Sequence, residues 1–338
     1  MSNITKEKNI PSGGTGEKSS SGGGGITNRN DQIFMFFVRW TFIIIAIFFA
    51  LFPVVWVAAS AFNPEGNVAT RNLIPEGVDS LEELLVNFDD LMFNEDNLAI
   101  DPFWNWMANS LIVASIATSL SVLISALAAY AFSRFRFYGR RSLLLGILLL
   151  QAFPNLLAMV ALFLILREIG RLPEAIPAAL PFLDFIDWSW IELIGLNSHG
   201  GLILVYLGGA MGVNTWLMKG FFDSIPRDID ESALVDGASH WQIFWSLIFP
   251  LVRPILAVVG VLSFVGTMNE FVLARVILRD KEQWTLMVGL FNFINQDFTT
   301  EWGKFAAGSL VSATPIVILY LLLQDQIVGG LTAGSVKG

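Results

Sequence analysis

Long apolar stretches, separated by polar or acidic segments, set the organisation of this chain. The first runs from Ile33 to Phe62, longer than the about 20 residues a helix needs to cross a bilayer core. Arg39, near its start, is placed to snorkel to an interface. Five more stretches follow, at about Asn109 to Phe132, Leu143 to Leu166, Leu202 to Met218, Pro254 to Val276 and Phe305 to Leu323. The pattern predicts an all-α membrane protein with six transmembrane helices.

Polar and helix-breaking residues interrupt several of these spans. Pro154, flanked by Gln151 and Asn155, predicts a kink whose freed carbonyl is satisfied by polar neighbours; these either glue the helix to another or line a solute path. Gly208, Gly209, Ala210 and Gly212 permit close helix packing in the fourth span, and Pro315 is expected to break the sixth. Asn269 and Glu270 fall inside the fifth. Glu270 lies sixteen residues beyond Pro254, roughly 24 Å up a helix and so close to the outer interface. It either lines an outward vestibule there or reaches headgroup water.

Charge orients the spans. From Asn63 to about Trp106 the chain carries ten acids, among them Glu76, Asp89 and Asp101, against Arg71 alone, and belongs outside. Arg134, Arg136, Arg140 and Arg141 crowd the next loop and fix it in the cytoplasm. Residues 180–196 are greasy enough to suggest a further span, but Pro181, Asp184, Asp187 and Glu192 oppose it, each charge costing about 2.5 to 3.5 kcal/mol at a bilayer centre. That segment is expected to lie along the outer interface, with Trp188 and Trp190 at headgroup level. The external loops are then about 63–106, 167–199 and 278–304, with a cytoplasmic loop at 219–253. Both termini are cytoplasmic: a Gly/Ser-rich, disordered head (1–31) and a short tail (328–338) flank a permease domain at 32–327.

Composition agrees with a membrane class, at 54% hydrophobic and 14% charged residues. The absence of cysteine excludes disulfides and thiolate chemistry, and His199 and His240 fall in different expected compartments and cannot share a metal. Gly13 to Ser19 superficially resembles a nucleotide-binding loop, but Glu17 stands where the second glycine belongs and no strand precedes it. No nucleophile–base constellation appears. The chain can pass a solute but has no engine of its own, and no mid-membrane charge suggests an ion relay.

One cytoplasmic stretch stands out, Asp228 to Pro250. Asp228 with Glu231 has capping-box spacing for a first helix, Gly237 supplies a left-handed turn, and Ser239 with Gln242 repeats the spacing for a second helix expected to stop at Pro250. Small Ser232, Ala233 and Ala238 leave the backbone open to close approach. The hairpin either docks another protein or packs on its own membrane domain.

Glu231, Ala233, Gly237 and Pro250 resemble the EAA loop of ABC-importer permeases, with Ser232, Leu247 and Phe249 as conservative departures. The resemblance extends from Ile33 onward, through Ile194 to Gly201, Tyr206 to Gly209, Pro254 to Val259 and Gly330 to Gly338, to the six-helix permeases of bacterial maltose/maltodextrin importers. It implies a type I importer permease fold in a bacterial plasma membrane. It further implies a second homologous permease, two ATPase subunits that hold ATP and magnesium, and an extracellular sugar-binding protein; this chain would hold no cofactor or metal and bind no nucleic acid. The residues implied in ATPase coupling are Glu231, Ala233, Asp236, Gly237 and Pro250, with Gly334 and Lys337 of the tail directed towards the ATPase. Asp280, Gln283 and Trp284 are implied in the loop facing the binding protein. Asn155, Asn269 and Glu270 are the candidates for lining the path.

Overall fold

The computed structural model describes residues 29–64, 80–96, 102–180, 182, 187–295 and 301–335. The expected disordered head therefore lies almost wholly outside the described residues, as does Lys337. The chain divides into two units, residues 1–53 and 54–338. The described part of the first is the beginning of helix α1 (Arg29–Ala61), a largely lipophilic helix with Pro53 inside it.

The second unit holds the end of α1 and the remaining elements: α2 (Leu81–Leu84), α3 (Val86–Met92), α4 (Phe103–Arg134), α5 (Arg140–Gln151), α6 (Asn155–Ile169), α7 (Leu172–Ala179), α8 (His199–Asp223), α9 (Asp228–Val235), α10 (His240–Ile243), α11 (Phe249–Leu251), α12 (Arg253–Met268), α13 (Val272–Ile277), α14 (Leu286–Ile294) and α15 (Trp302–Ser335). Among the described residues, α1, α4, α8 and α15 are each long and apolar enough to cross a membrane, and His240–Leu251 with Arg253–Met268 makes a bent fifth candidate. The remaining expected crossing is built in two pieces, α5 and α6. Gln151 at the end of α5 donates to the Gly209 carbonyl halfway along α8 (2.8 Å), and Gly170 beyond α6 meets Gly195 near the start of α8. The pair therefore runs antiparallel to α8 along its length.

The prolines act differently from expectation. Pro154 does not kink a continuous helix: its ψ of 120° is extended, so α5 ends at Gln151 and Pro154 starts α6 afresh. Pro315, expected to break the last span, lies inside an uninterrupted α15. Nearby hydroxyls bond back to helix carbonyls, Ser309 to Phe305 (2.7 Å) and Ser312 to Ser309 (2.7 Å). α15 also runs through residues expected as tail to Ser335, since extending an existing helix is far easier than starting one. The fifth span ends at Met268; Asn269, Glu270 and Phe271 form a break before α13.

Two large clusters and a small one, Ala114 with Phe264 and Met268, hold the bundle. At one end Trp106 meets Trp284 at a tilt and Phe293 edge-on, beside Leu202, Leu278 and Leu286, and the ring of Trp106 occupies the space a Cβ on Gly289 would need. α3 is fixed to the same end by Asn87, whose amide donates to the carbonyls of Ala61 (3.1 Å) and Asn63 (2.8 Å). At the other end Tyr130, Phe222, Ile243, Phe244 and Val252 form the second core, beneath the hairpin singled out in the sequence. Between them Asn214 of α8 donates to Ser121 of α4 and Ser263 of α12 (3.0 Å each), a polar clip between three helices. Of the glycines expected to permit close packing, Gly212 makes a close approach, to Gln151 and Ile147, whereas Gly208 and Gly209 face open space.

Candidate functional site

The hairpin is built from local signals and held by a distant one. α9 begins at Asp228 with Arg227 as its cap and no side-chain capping bond, so Asp228 and Glu231 do not form the expected capping box. The acids Asp228, Asp230 and Glu231 still occupy the positive end of the helix dipole. Gly237 ends α9 at φ +86°, the left-handed turn expected of it. The second capping box is complete: the Gln242 amide N–H donates to Ser239 Oγ (3.3 Å) and the Ser239 N–H to Gln242 Oε1 (2.8 Å).

Pro250 does not stop the helix that follows. α10 passes through a π turn (Phe244–Ile248) into α11, and the chain turns only at Val252, where the axis bends by 76° into α12.

Asp230 was not singled out by the sequence, and it is the residue that locks the hairpin to the bundle. Its carboxylate is buried 2.9 Å from Nε of Arg134, the last residue of α4, and both side chains are about one-tenth exposed or less. The Nε–H is not aimed well at the oxygen, so the attraction is mainly Coulombic. Arg134 also donates to the carbonyls of Phe222 (3.2 Å) and Ile225 (3.3 Å), and Arg227 to that of Ser133 (2.8 Å). Ser133 Oγ donates to Asp223, which also pairs with Lys219. The end of α4, the end of α8 and the start of α9 thus form one fastened joint.

The expected coupling residues separate into two groups. Glu231, Asp236 and Gly237 are exposed. Ala233 is buried with Ile243 and Phe244, so it seats the hairpin rather than presenting it, and Pro250 is half-buried. The outward surface includes apolar residues not anticipated: Val235 is 88% exposed, Trp241 62% and Leu234 42%. Gly334 lies in α15, far from any tail conformation.

At the opposite end the stretch 278–285, expected as an external loop, is tightly tied. Asn197, at φ 60°, accepts from the N–H groups of Arg279 (2.7 Å) and Asp280 (3.1 Å) and donates to the Asp280 carboxylate (2.6 Å). Asn109 donates to the carbonyls of Glu282 and Trp284, Trp106 to that of Lys281, and a His199 ring nitrogen lies 2.9 Å from that of Gln283. Asp280 is exposed at the tip, Gln283 is half-buried, and Trp284 is buried under Arg275, whose guanidinium lies 4.8 Å from the ring centroid. In the neighbouring segment, expected along the outer interface, Ser189–Ile194 is a 3-10 turn; the Ser189 N–H bound to Asp187 holds that carboxyl below its ordinary pKa.

A cavity of about 650 Å³ opens between α6, α8 and α12, with Gln151, Tyr206, Asn214, Thr267 and Glu270 among its lining. Glu270 thus faces this cavity, where its carboxylate accepts from the Tyr206 hydroxyl (2.7 Å) and from the N–H groups of Leu273 (2.8 Å) and Ala274 (3.0 Å). Asn269 does not line it; its amide donates to the carbonyl of Val265 (2.9 Å). Asn155 opens α6.

This is a multi-pass helical membrane protein with an exposed, hinged hairpin at one end and a tethered loop at the other. The family described as the binding-protein-dependent transport system inner membrane component matches residues 121–328, more than half of the chain, and the protein belongs to that family. Among curated proteins, the maltose/maltodextrin transport system permease protein MalG of Vibrio vulnificus is 40% identical over 303 residues, covering 88% of this chain and 93% of the relative. MalG of Escherichia coli K12 is 38% identical over 303 residues (88% and 95%), and the galactooligosaccharides transport system permease protein GanQ of Bacillus subtilis is 38% identical over 290 residues (85% and 90%). A crystal structure of a bacterial ABC transporter involved in the import of the acidic polysaccharide alginate contains a chain of the same fold, with a TM-score of 0.66 and 23% identity over 88% of this chain and 98% of that one.

Proposed function

We propose that this chain is the permease subunit of a binding-protein-dependent ABC importer that passes maltose/maltodextrin-type oligosaccharides into a bacterial cell. It works beside a second, homologous permease, two ATPase subunits that hold ATP and magnesium, and an extracellular sugar-binding protein. The observation that carries this reading is the exposed hairpin around Gly237, fastened to the bundle by Arg134 and Asp230. Both termini and the hairpin face the cytoplasm, in accord with the arginines of residues 134–141.

In this mechanism Glu231, Asp236, Gly237, Val235 and Trp241 form the surface that enters a cleft on the ATPase. ATP binding draws the ATPase subunits together and moves the hairpin; the buried ion pair passes that movement to α4 and α8. ATP achieves this only because it binds the closed arrangement better than the open one. The Asp280 loop meets the binding protein, and the cavity between α6, α8 and α12 lies on the sugar's route.

Galactooligosaccharides are the second reading, supported by the GanQ relative. Vesicles carrying the full complex and the binding protein separate the two. Maltodextrins stimulate ATP hydrolysis and accumulate inside under the first reading, galactooligosaccharides under the second, and stimulation only by amino acids would falsify both.

A further inference from the structure

We propose that the recess between the α4–α5 turn and α8 binds the headgroup of an anionic phospholipid whose acyl chains lie along α5. A cavity of about 610 Å³ opens there, lined by Tyr138, Arg140, Arg141, Ser142 and Lys219. Gly139, at φ +81°, turns the chain into α5, and the ring of Phe137 packs on Phe132 (5.7 Å between centroids), which fixes the turn against α4.

The recess carries an unbalanced positive charge. Three cations, Arg140, Arg141 and Lys219, line it, against the nearby acid Asp223, which pairs with Lys219, accepts from Ser133 and is also attracted by Arg140. Among the described residues neither Arg140 nor Arg141 makes a direct ion-pair contact. No side chain caps α5, so the positive end of its dipole adds to the same field. A phosphodiester is the anion that several guanidinium groups at close spacing accommodate well.

The apolar side of the recess selects a lipid over a soluble anion. Leu143 and Leu150, seven residues apart and so on one face of α5, are 53% and 76% exposed and lead directly away from the arginines. Tyr138 is fully exposed at the boundary, the position aromatic side chains take at headgroup depth. Cationic recess, boundary aromatic and apolar stripe follow one another in the order headgroup, interface and acyl chain. This inference does not depend on which solute the protein carries.

The test is native mass spectrometry of the purified full-length chain, equilibrated in micelles with equal amounts of phosphatidylglycerol and phosphatidylcholine. Wild type is expected to retain phosphatidylglycerol in preference. Arg140→Gln with Arg141→Gln lowers that retention about thirtyfold, as expected for two basic groups near an anionic headgroup, and leaves phosphatidylcholine unchanged. Arg140→Lys with Arg141→Lys keeps the preference, which shows that the loss follows charge and not misfolding. Millimolar inorganic phosphate leaves the lipid bound. Equal retention of the two lipids by wild type, or undiminished phosphatidylglycerol in the Gln pair, overturns the proposal. Displacement by inorganic phosphate also overturns it, because the recess is then a site for soluble anions.

Discussion

Asp230 and Arg134, 96 positions apart in sequence, meet at 2.9 Å in a buried ion pair that joins the third residue of the hairpin's first helix to the last residue of α4. Removing one partner leaves a buried charge uncompensated. Asp230→Asn or Arg134→Gln is therefore expected to destabilise the protein by about 3–5 kcal/mol, measured as earlier thermal unfolding in detergent. Replacing both with apolar residues, Arg134→Met with Asp230→Leu, recovers most of that loss. Single variants as stable as wild type would show that the pair does not hold the joint.

Gly237 offers a second test. A β-branched residue resists φ +86°, whereas asparagine accepts the left-handed region at lower cost. Gly237→Val is expected to insert normally yet abolish sugar-stimulated ATP hydrolysis in vesicles of the whole complex, and Gly237→Asn to retain a substantial part of it. Equal activity in the two variants would disconnect the turn from coupling.

These two sites mark the limit of what the sequence reveals. The Gly237 turn and the Ser239–Gln242 box are legible because each is decided within four residues, by a backbone angle and by reciprocal hydrogen bonds. The apolar blocks are legible because bilayer thickness dictates their length. Asp230 was passed over because it sits beside Glu231 in an acidic first turn, and only the tertiary fold decides which of the two turns inward. Arg134 is, in sequence, one of four arginines that fix orientation; its place as the last residue of a span is the available clue. Pro154 and Pro315 look alike in sequence, and what separates them is the local backbone: an extended ψ at the first and an uninterrupted helix through the second.

Ser239→Ala removes half of a complete capping box and is expected to cost about 1 kcal/mol, localised to the start of α10. Amide hydrogen exchange is the suitable measurement. Protection should fall over residues 240–243 and stay unchanged in α4 and α8.

Asn197→Ala unties the loop at the other end. It removes three hydrogen bonds to Arg279 and Asp280, each worth about 1 kcal/mol net. Trypsin is then expected to cut after Arg279 or Lys281 markedly faster than in wild type, while the rest of the chain keeps its protection. An unchanged cleavage rate would mean that Asn109 and Trp106 hold this stretch without Asn197.

The 76° bend at Val252 has a mechanical consequence. A force applied along the arm from His240 to Leu251 reaches α12 nearly broadside. It therefore acts as a torque that swings α12 about its lower end, and hardly as a thrust that would slide the helix through the bilayer. A crank of this kind turns a small displacement at the protein's edge into rotation at its centre without dragging any backbone across the lipid.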